Sequence, residues 1–245
     1  LLGLEMAWAI RQLGCDVNVI HNSGRLLPKQ IDEEGAKLLY KAISNKGINL
    51  YMNAQVQEIG GENRAEYVRL DSGTVVKSDF VVLSVGVNAN TQPLKDSGIN
   101  MGRSVAVDKY METNIEGIYA AGDVAEYNGK CYGIWPIAVE QGKIAGTNAA
   151  GGKLEYSEIH PFTSLKIKGI TMFSIGDVFS EDSLSIAEAD FESGRYVKLL
   201  IKEGIITGAI VFGDQSLPMK IKKAVDNRIK LPEIKEGKTI NELIG

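Results

Sequence analysis

Apolar positions alternate between helical and strand-like spacing from the start of the chain. Leu4, Ala7, Ile10 and Leu13 recur at helical intervals, and Met6 and Trp8 widen the apolar surface beyond one stripe. Residues 1–13 therefore predict a largely buried helix, with Gly14 as its stop. Val17–Ile20 is a short apolar run of strand length. Leu38, Leu39, Ala42 and Ile43 then share one face of a helix predicted over 31–46 and closed by Gly47. Strand-like segments follow at 48–52, 55–59 and 66–70, the last joined to 74–76 across the turn Asp71-Ser72-Gly73. Phe80–Val85 is apolar on both faces, the pattern of a central parallel strand, and ends at Gly86. Further on, a predicted strand over 117–121 runs into Gly122-Asp123. A helix from about Pro136 to Ala150 has proline in its first turn and Gly151-Gly152 past its end.

From Tyr156 the pattern changes. Residues 162–175, 196–202 and 205–212 read as strands, the last two paired across Glu203-Gly204, and 217–229 as a helix. The expected architecture is α/β up to about residue 155, followed by a separate small α+β domain over 156–245.

Composition narrows the function classes. The 245 residues are 44% hydrophobic and 24% charged, as expected for a folded globular protein rather than a disordered or fibrous one. No run approaches the ~18 apolar residues of a membrane span, and the first ten residues lack the features of a signal peptide. A formal charge of -4 gives no reason to expect nucleic-acid binding. Cys15 and Cys131 stand far apart and form no CxxC pair or cysteine-rich metal site, so no metal is expected and a reducing cytoplasm fits best. Locally the charge reverses. Between Arg195 and Lys230 there are eight basic residues against three acidic ones. Two readings stand, a solvated helix face or a surface that steers an acidic partner.

Two constellations carry chemistry. Leu1-Leu2-Gly3-Leu4-Glu5, opening a helix that leads to a strand, fits the last glycine of a G-x-G-x-x-G loop, whose helix N-terminus holds a pyrophosphate. Thr113-Asn114-Ile115-Glu116-Gly117-Ile118-Tyr119-Ala120-Ala121-Gly122-Asp123 delivers Gly-Asp at the end of a predicted strand, where open α/β sheets bind ligands. The glycine admits a phosphate-bearing chain close to the backbone, and the aspartate accepts from a hydroxyl.

The stretch Thr113–Asp123 resembles the second FAD-binding motif of the pyridine nucleotide-disulfide oxidoreductase superfamily. Asp79–Thr91 resembles the crossing from its NAD domain back to its FAD domain, and Arg25-Leu26-Leu27-Pro28-Lys29-Gln30-Ile31-Asp32 is similar to its NAD domain. Tyr132-Gly133-Ile134-Trp135-Pro136, leading into Gln141-Gly142, resembles the NADH:rubredoxin reductase and nitrite reductase flavoprotein branch. The resemblance implies Rossmann-like NAD-binding and FAD-binding segments: residues 1–85 as an NAD domain lacking its first strand, and 86–155 as the C-terminal part of an FAD domain. The first FAD-binding glycine loop would lie upstream of residue 1.

The same resemblance implies site residues. Gly3 belongs to the pyrophosphate loop, and Gly86 marks the approach of nicotinamide. Gly122 and Asp123 meet the FAD phosphate and ribityl region, and the helix beginning near Pro136 aims its N-terminus at the flavin ring. For Trp135 two readings stand, stacking beside that ring or a core position. Glu5 either orients the nicotinamide carboxamide or is a solvated first-turn glutamate. His21 occupies the end of the second NAD-domain strand, where an acidic residue commonly grips the adenine ribose. Arg25 either meets a 2′-phosphate or is solvated. Ala89 stands where relatives often carry proline, which predicts a looser loop.

The implied activity is an FAD-dependent NAD(P)H oxidoreductase in which NADH reduces the flavin and electrons pass to a small, acidic, rubredoxin-like protein. No protein acid, base or nucleophile is required, and neither cysteine matches the family's active-site positions. The alternatives are a non-catalytic nucleotide-binding or redox-sensing module or, within enzymes, a CoA-disulfide reductase or NADH oxidase using an upstream cysteine.

Overall fold

The computed structural model describes residues 1–157, 160–231 and 239–244. It divides into two compact units, Leu1–Ser84 together with Phe162–Gly245, and Val85–Pro161. The segments at the two ends of the chain fall in the first of these units.

The first unit opens with α1 (Leu2–Gln12), whose Leu4 and Ala7 are buried. Parallel strands β1 (Val17–Ile20) and β2 (Ile48–Tyr51) flank α2 (Glu33–Ser44) in a βαβ arrangement, with Val17 opposite Ile48. The α2 N-cap is Asp32, whose Oδ1 accepts from the Gly35 amide at 3.1 Å. Leu38, Leu39 and Ile43 are buried, as their helical spacing predicts. An antiparallel meander follows: β3 (Val56–Gly60), β4 (Tyr67–Leu70) and β5 (Val75–Lys77).

In the second unit, β6 (Val105–Val107) pairs in parallel with β7 (Ala125–Tyr127), and α3 spans Trp135–Ala149. Met111, Ile137, Ile144, Ala145 and Tyr156 form its buried core. Asn148 secures the far end of α3. Its amide donates to the carbonyls of Tyr110 and Leu154, each at 2.8 Å, and its oxygen accepts from the Leu154 amide at 2.7 Å.

The chain then re-enters the first unit. Strands β8 (Phe162–Ser164), β9 (Met172–Gly176), β10 (Leu184–Asp190), β11 (Arg195–Lys202) and β12 (Ile205–Phe212) form one antiparallel sheet in the order β10-β11-β12-β9-β8. Helices α4 (Pro218–Asp226) and α5 (Ile240–Ile244) follow. Glu203 and Gly204, at φ 54° and 78°, form the two-residue loop between β11 and β12; both left-handed positions suit the strand twist of a type I′ hairpin. One sheet face packs on α4 and α5 through Val197, Leu199, Val211, Ile221 and Ile240. The other shares a core with the N-terminal segment: Met172, Tyr196, Leu200 and Ile210 join Leu4, Ile31, Leu39 and Ile48.

Polar contacts accompany that shared core. Tyr196 Oη and Lys198 Nζ donate to Asp32 Oδ2 at 2.7 and 3.0 Å. Lys46 donates to the Lys168 carbonyl at 2.6 Å, and its ammonium lies 4.2 Å from the Trp8 ring centroid.

Several expectations are corrected. Phe80–Val85 is irregular and exposed rather than a central strand. Among the described residues β1 pairs only with β2, and no strand lies alongside 80–85 to bond its backbone. The segment expected as a strand over 117–121 makes only an isolated antiparallel bridge, Glu112 to Tyr119. Residues 162–175 form the hairpin β8–β9, reversed through an Ile167–Ile170 bridge, because Lys168-Gly169 turns the chain. The helix expected over 217–229 ends at Asp226. Strand β10 went unforeseen, since its residues are largely exposed and only Ile186 among them is β-branched.

Asp32 yields a stability prediction. Burial by itself would raise its carboxyl pKa, but bonds from Tyr196, Gly35 and Lys198 outweigh that and hold it below the ordinary value. Asp32→Ala should lose a helix cap and two bonds to β11, costing about 2 kcal/mol at neutral pH. A depressed folded pKa means that this contribution is present above the unfolded value and lost as pH falls through the folded one. The gap between wild type and variant should therefore narrow as pH falls below the ordinary carboxyl value of 3.8. Urea melts at pH 7 and pH 3 check it; an equal gap at both would contradict the ionised role.

Candidate functional site

In the second unit the Gly-Asp turn lies against α3. Ala121 is extended, Gly122–Val124 form a single 3-10 turn, and Gly122 takes φ 78°. A Cβ on Gly122 would lie 3.3 Å from the Ala138 Cβ, so the turn can approach the helix only as glycine. The Gly122 amide donates to Gln141 Oε1 at 2.9 Å. Gln141 is 1% exposed, and its Nε2 is buried with no hydrogen-bond partner among the described residues. An amide flip would set two donors face to face at Gly122, so Nε2 is the atom left over. A buried unpaired donor costs about 1 to 3 kcal/mol, which marks this position as awaiting an acceptor.

Asp123 is exposed directly beside this turn. The start of α3 is open: Ile134 provides no side-chain cap, Pro136 lies in the first turn, and Trp135 is 81% exposed. The first-turn amides and the positive end of the helix dipole are thus available to an anionic or electron-rich group.

The sequence-derived residues of the first unit fall at two places. Gly3 lies in the first turn of α1, where an added Cβ would meet Ser84 Cβ and Oγ at 3.2 Å, a close packing of helix on chain. Glu5 is partly exposed, and its Oε1 accepts from the Lys166 amide at 2.8 Å. His21 follows β1 directly. Its amide donates to Tyr51 O at 2.8 Å, its carbonyl accepts from Ala54 N at 3.0 Å, and its Nε2 donates to Arg25 O at 3.1 Å. Arg25 is partly buried; its Nη2 donates to Pro28 O at 3.0 Å and its guanidinium lies 5.3 Å from the Phe179 ring centroid. Gly86, at φ 89°, lies in the exposed irregular chain that follows Ser84.

Residues 1–142 match the family model described as pyridine nucleotide-disulphide oxidoreductase. The chain belongs to this family. The pyridine nucleotide-disulphide oxidoreductases use FAD and NAD(P)H, and residues 161–229 match a second model, the rubredoxin NAD+ reductase C-terminal domain. The chain is 37% identical over 218 residues to nitrite reductase [NAD(P)H] of Bacillus subtilis, covering 88% of itself and 27% of that protein. It is 36% identical over 227 residues to NADH-rubredoxin oxidoreductase of Clostridium acetobutylicum, covering 93% of itself and 56% of that protein. The crystal structure of NADH:rubredoxin oxidoreductase from C. acetobutylicum superposes with a TM-score of 0.77 at 34% identity, over 99% of this chain and 60% of that one. The chain thus spans between about a quarter and somewhat over half of these curated relatives.

Other chemistry is poorly supported among the described residues. Both cysteines are free, and burial together with the Glu126 carboxylate pushes the Cys131 thiol up, away from the reactive thiolate. Among the described residues no helix is long and apolar enough to cross a membrane.

Gly122→Ala should strain a left-handed turn and crowd Ala138, destabilising the second unit by about 1 to 2 kcal/mol even without ligand. Hydrogen exchange at Ala121–Ala125 would report it as faster opening; unchanged protection would show that the turn accommodates a side chain.

Proposed function

We propose that the protein is an FAD-dependent NADH oxidoreductase that passes electrons to a small acidic acceptor protein such as rubredoxin. In this reading residues 1–85 take the nicotinamide cofactor, 86–155 contribute to FAD binding, and 156–245 form the acceptor-facing domain. The observation that carries it is the buried, unpaired Nε2 of Gln141, behind a glycine turn that faces an uncapped helix end. Those donors suit FAD: acceptor-rich phosphate and ribityl groups beside Gly122 and Asp123, and a ring that gains electron density near Trp135 and Pro136 at the positive end of α3. When bound, FAD supplies the exchange between two-electron chemistry with NADH and one-electron chemistry with the acceptor. The chain's own residues bind and orient: Asp123 accepts from a ribityl hydroxyl, and Gln141 fixes the Gly122 amide. Gly3 keeps α1 close to Ser84, Glu5 serves the nicotinamide, and His21 and Arg25 serve the adenine ribose. Free cysteines suit a reducing cytoplasm.

The acceptor reading draws on charge that is not already paired. Arg195 is held by Glu188 and Asp214 at 2.9 and 3.1 Å, Lys198 by Asp32, and Lys222 by Asp226. Lys220 and Lys223 are exposed on α4, next to Met219, which is 70% exposed.

Two measurements test the proposal. Asp123→Ala in the full polypeptide should weaken FAD roughly tenfold to a hundredfold, as expected for a lost bond to a charged group. Flavin content per chain reads this, and undiminished occupancy would sink the assignment. Lys220→Glu with Lys223→Glu should slow electron transfer to an acidic rubredoxin at low salt while leaving reduction of the flavin by NADH unchanged. The deficit should shrink once the screening length falls below about 8 Å. Stopped-flow traces of the two half-reactions separate these effects, and an unaffected acceptor step would return α4 to a solvated face.

A further inference from the structure

The loop after β1 contains an arginine held by a residue more than 150 positions away in sequence. The Arg25 guanidinium lies over the ring of Phe179, 5.3 Å from its centroid, while Nη2 donates to Pro28 O and the Arg25 carbonyl accepts from His21 Nε2. Phe179 is itself fixed. Its amide donates to Asp177 Oδ1 at 2.9 Å, and the preceding Val178 is buried in the same core as Leu26 and Leu27, the residues that follow Arg25. A ring face covers one side of the guanidinium and one backbone carbonyl takes Nη2. The Nε and Nη1 donors have no protein acceptor among the described residues. A planar guanidinium stacked in this way keeps its edge of N–H groups open, the geometry that binds phosphate oxygens in pairs.

We propose that Phe179 is a positioning residue for cofactor choice. By holding Arg25 beside His21 at the end of β1, it presents the free guanidinium N–H groups to a phosphate on the adenosine 2′ position and extends use from NADH to NADPH. The inference rests on the reading that the end of β1 receives the adenosine ribose. It adds that the determinant is shared with the C-terminal sheet, through a residue that touches no cofactor. Holding the side chain in its binding rotamer reduces the ordering cost that a solvated arginine would meet on each binding event.

The test is calorimetric titration of the flavin-loaded protein with adenosine 2′,5′-bisphosphate and with AMP, whose affinity ratio isolates the 2′-phosphate. Loss of a partly exposed cation–π contact should make Phe179→Ala weaken the bisphosphate about two- to fivefold with AMP unchanged. Phe179→Trp should restore or exceed wild-type affinity, and the melting temperature should hold across the series, since Phe179 is 43% exposed. Arg25→Ala should remove most of the preference for the bisphosphate. If Arg25→Ala leaves that preference intact, the assignment of the β1 end to the ribose fails, and this proposal with it. If Arg25→Ala removes the preference and Phe179→Ala does not, the assignment stands and the role of Phe179 is overturned. Equal weakening of both ligands by Phe179→Ala would assign the ring a merely structural role and also overturn the proposal.

Discussion

The larger unit depends on the Asp32 carboxylate. One oxygen caps α2 through the Gly35 amide while the other receives Tyr196 and Lys198 from β11. A helix start leaves donors unsatisfied, and a carboxylate brought under a sheet needs partners for its charge; here each need meets the other. The arrangement fixes α2 against the C-terminal sheet, so that Ile31 and Leu39 complete a core with Tyr196, Leu200 and Ile210. Burial together with Asp32 drives the Tyr196 phenol far above its ordinary pKa, so it stays a donor throughout the neutral range.

Legibility of the fold followed the number of strands that each segment finds beside it. Helices α1, α2 and α3 were readable because their apolar faces and stops are local properties, and so was the hairpin β11–β12, whose Glu203-Gly204 loop has its own turn chemistry. Phe80–Val85 has the composition of a buried strand, yet composition states only what a segment tolerates on its faces. Whether it becomes a strand depends on neighbours for its backbone groups, and the described residues place none there. Conversely, β10 lacks strand composition and becomes one because β11 offers a complete ladder from Leu184 to Asp190. Pairing decided both cases.

The site was legible in its backbone features and less so in its contacts. Gly122 and the proline-started helix are written in residue types with few physical uses, and they meet at one junction in the structure. Gln141 entered the sequence reading only as part of a motif; nothing in its spacing indicates that one amide atom binds Gly122 while the other is left buried and unpaired. Glu5 and Arg25 were each open to a solvated reading because their partners, Lys166 and Phe179, are more than 150 residues away along the chain. Such pairings come from packing the C-terminal sheet onto the N-terminal βαβ segment, which a periodicity argument does not reach.

That packing separates the residues proposed for the nucleotide from those proposed for the acceptor. Residues near 166–179 touch α1, α2 and the loop after β1, while the opposite face of the same sheet packs on α4, where Lys220 and Lys223 are exposed. A substitution on the sheet can therefore alter the nucleotide end without touching the basic surface. The reverse also holds, because the buried Val197, Leu199 and Val211 lie between α4 and the face that meets the N-terminal segment. Successive side chains along each strand point to opposite faces, so residues that meet the N-terminal segment and residues that meet α4 can be substituted one at a time.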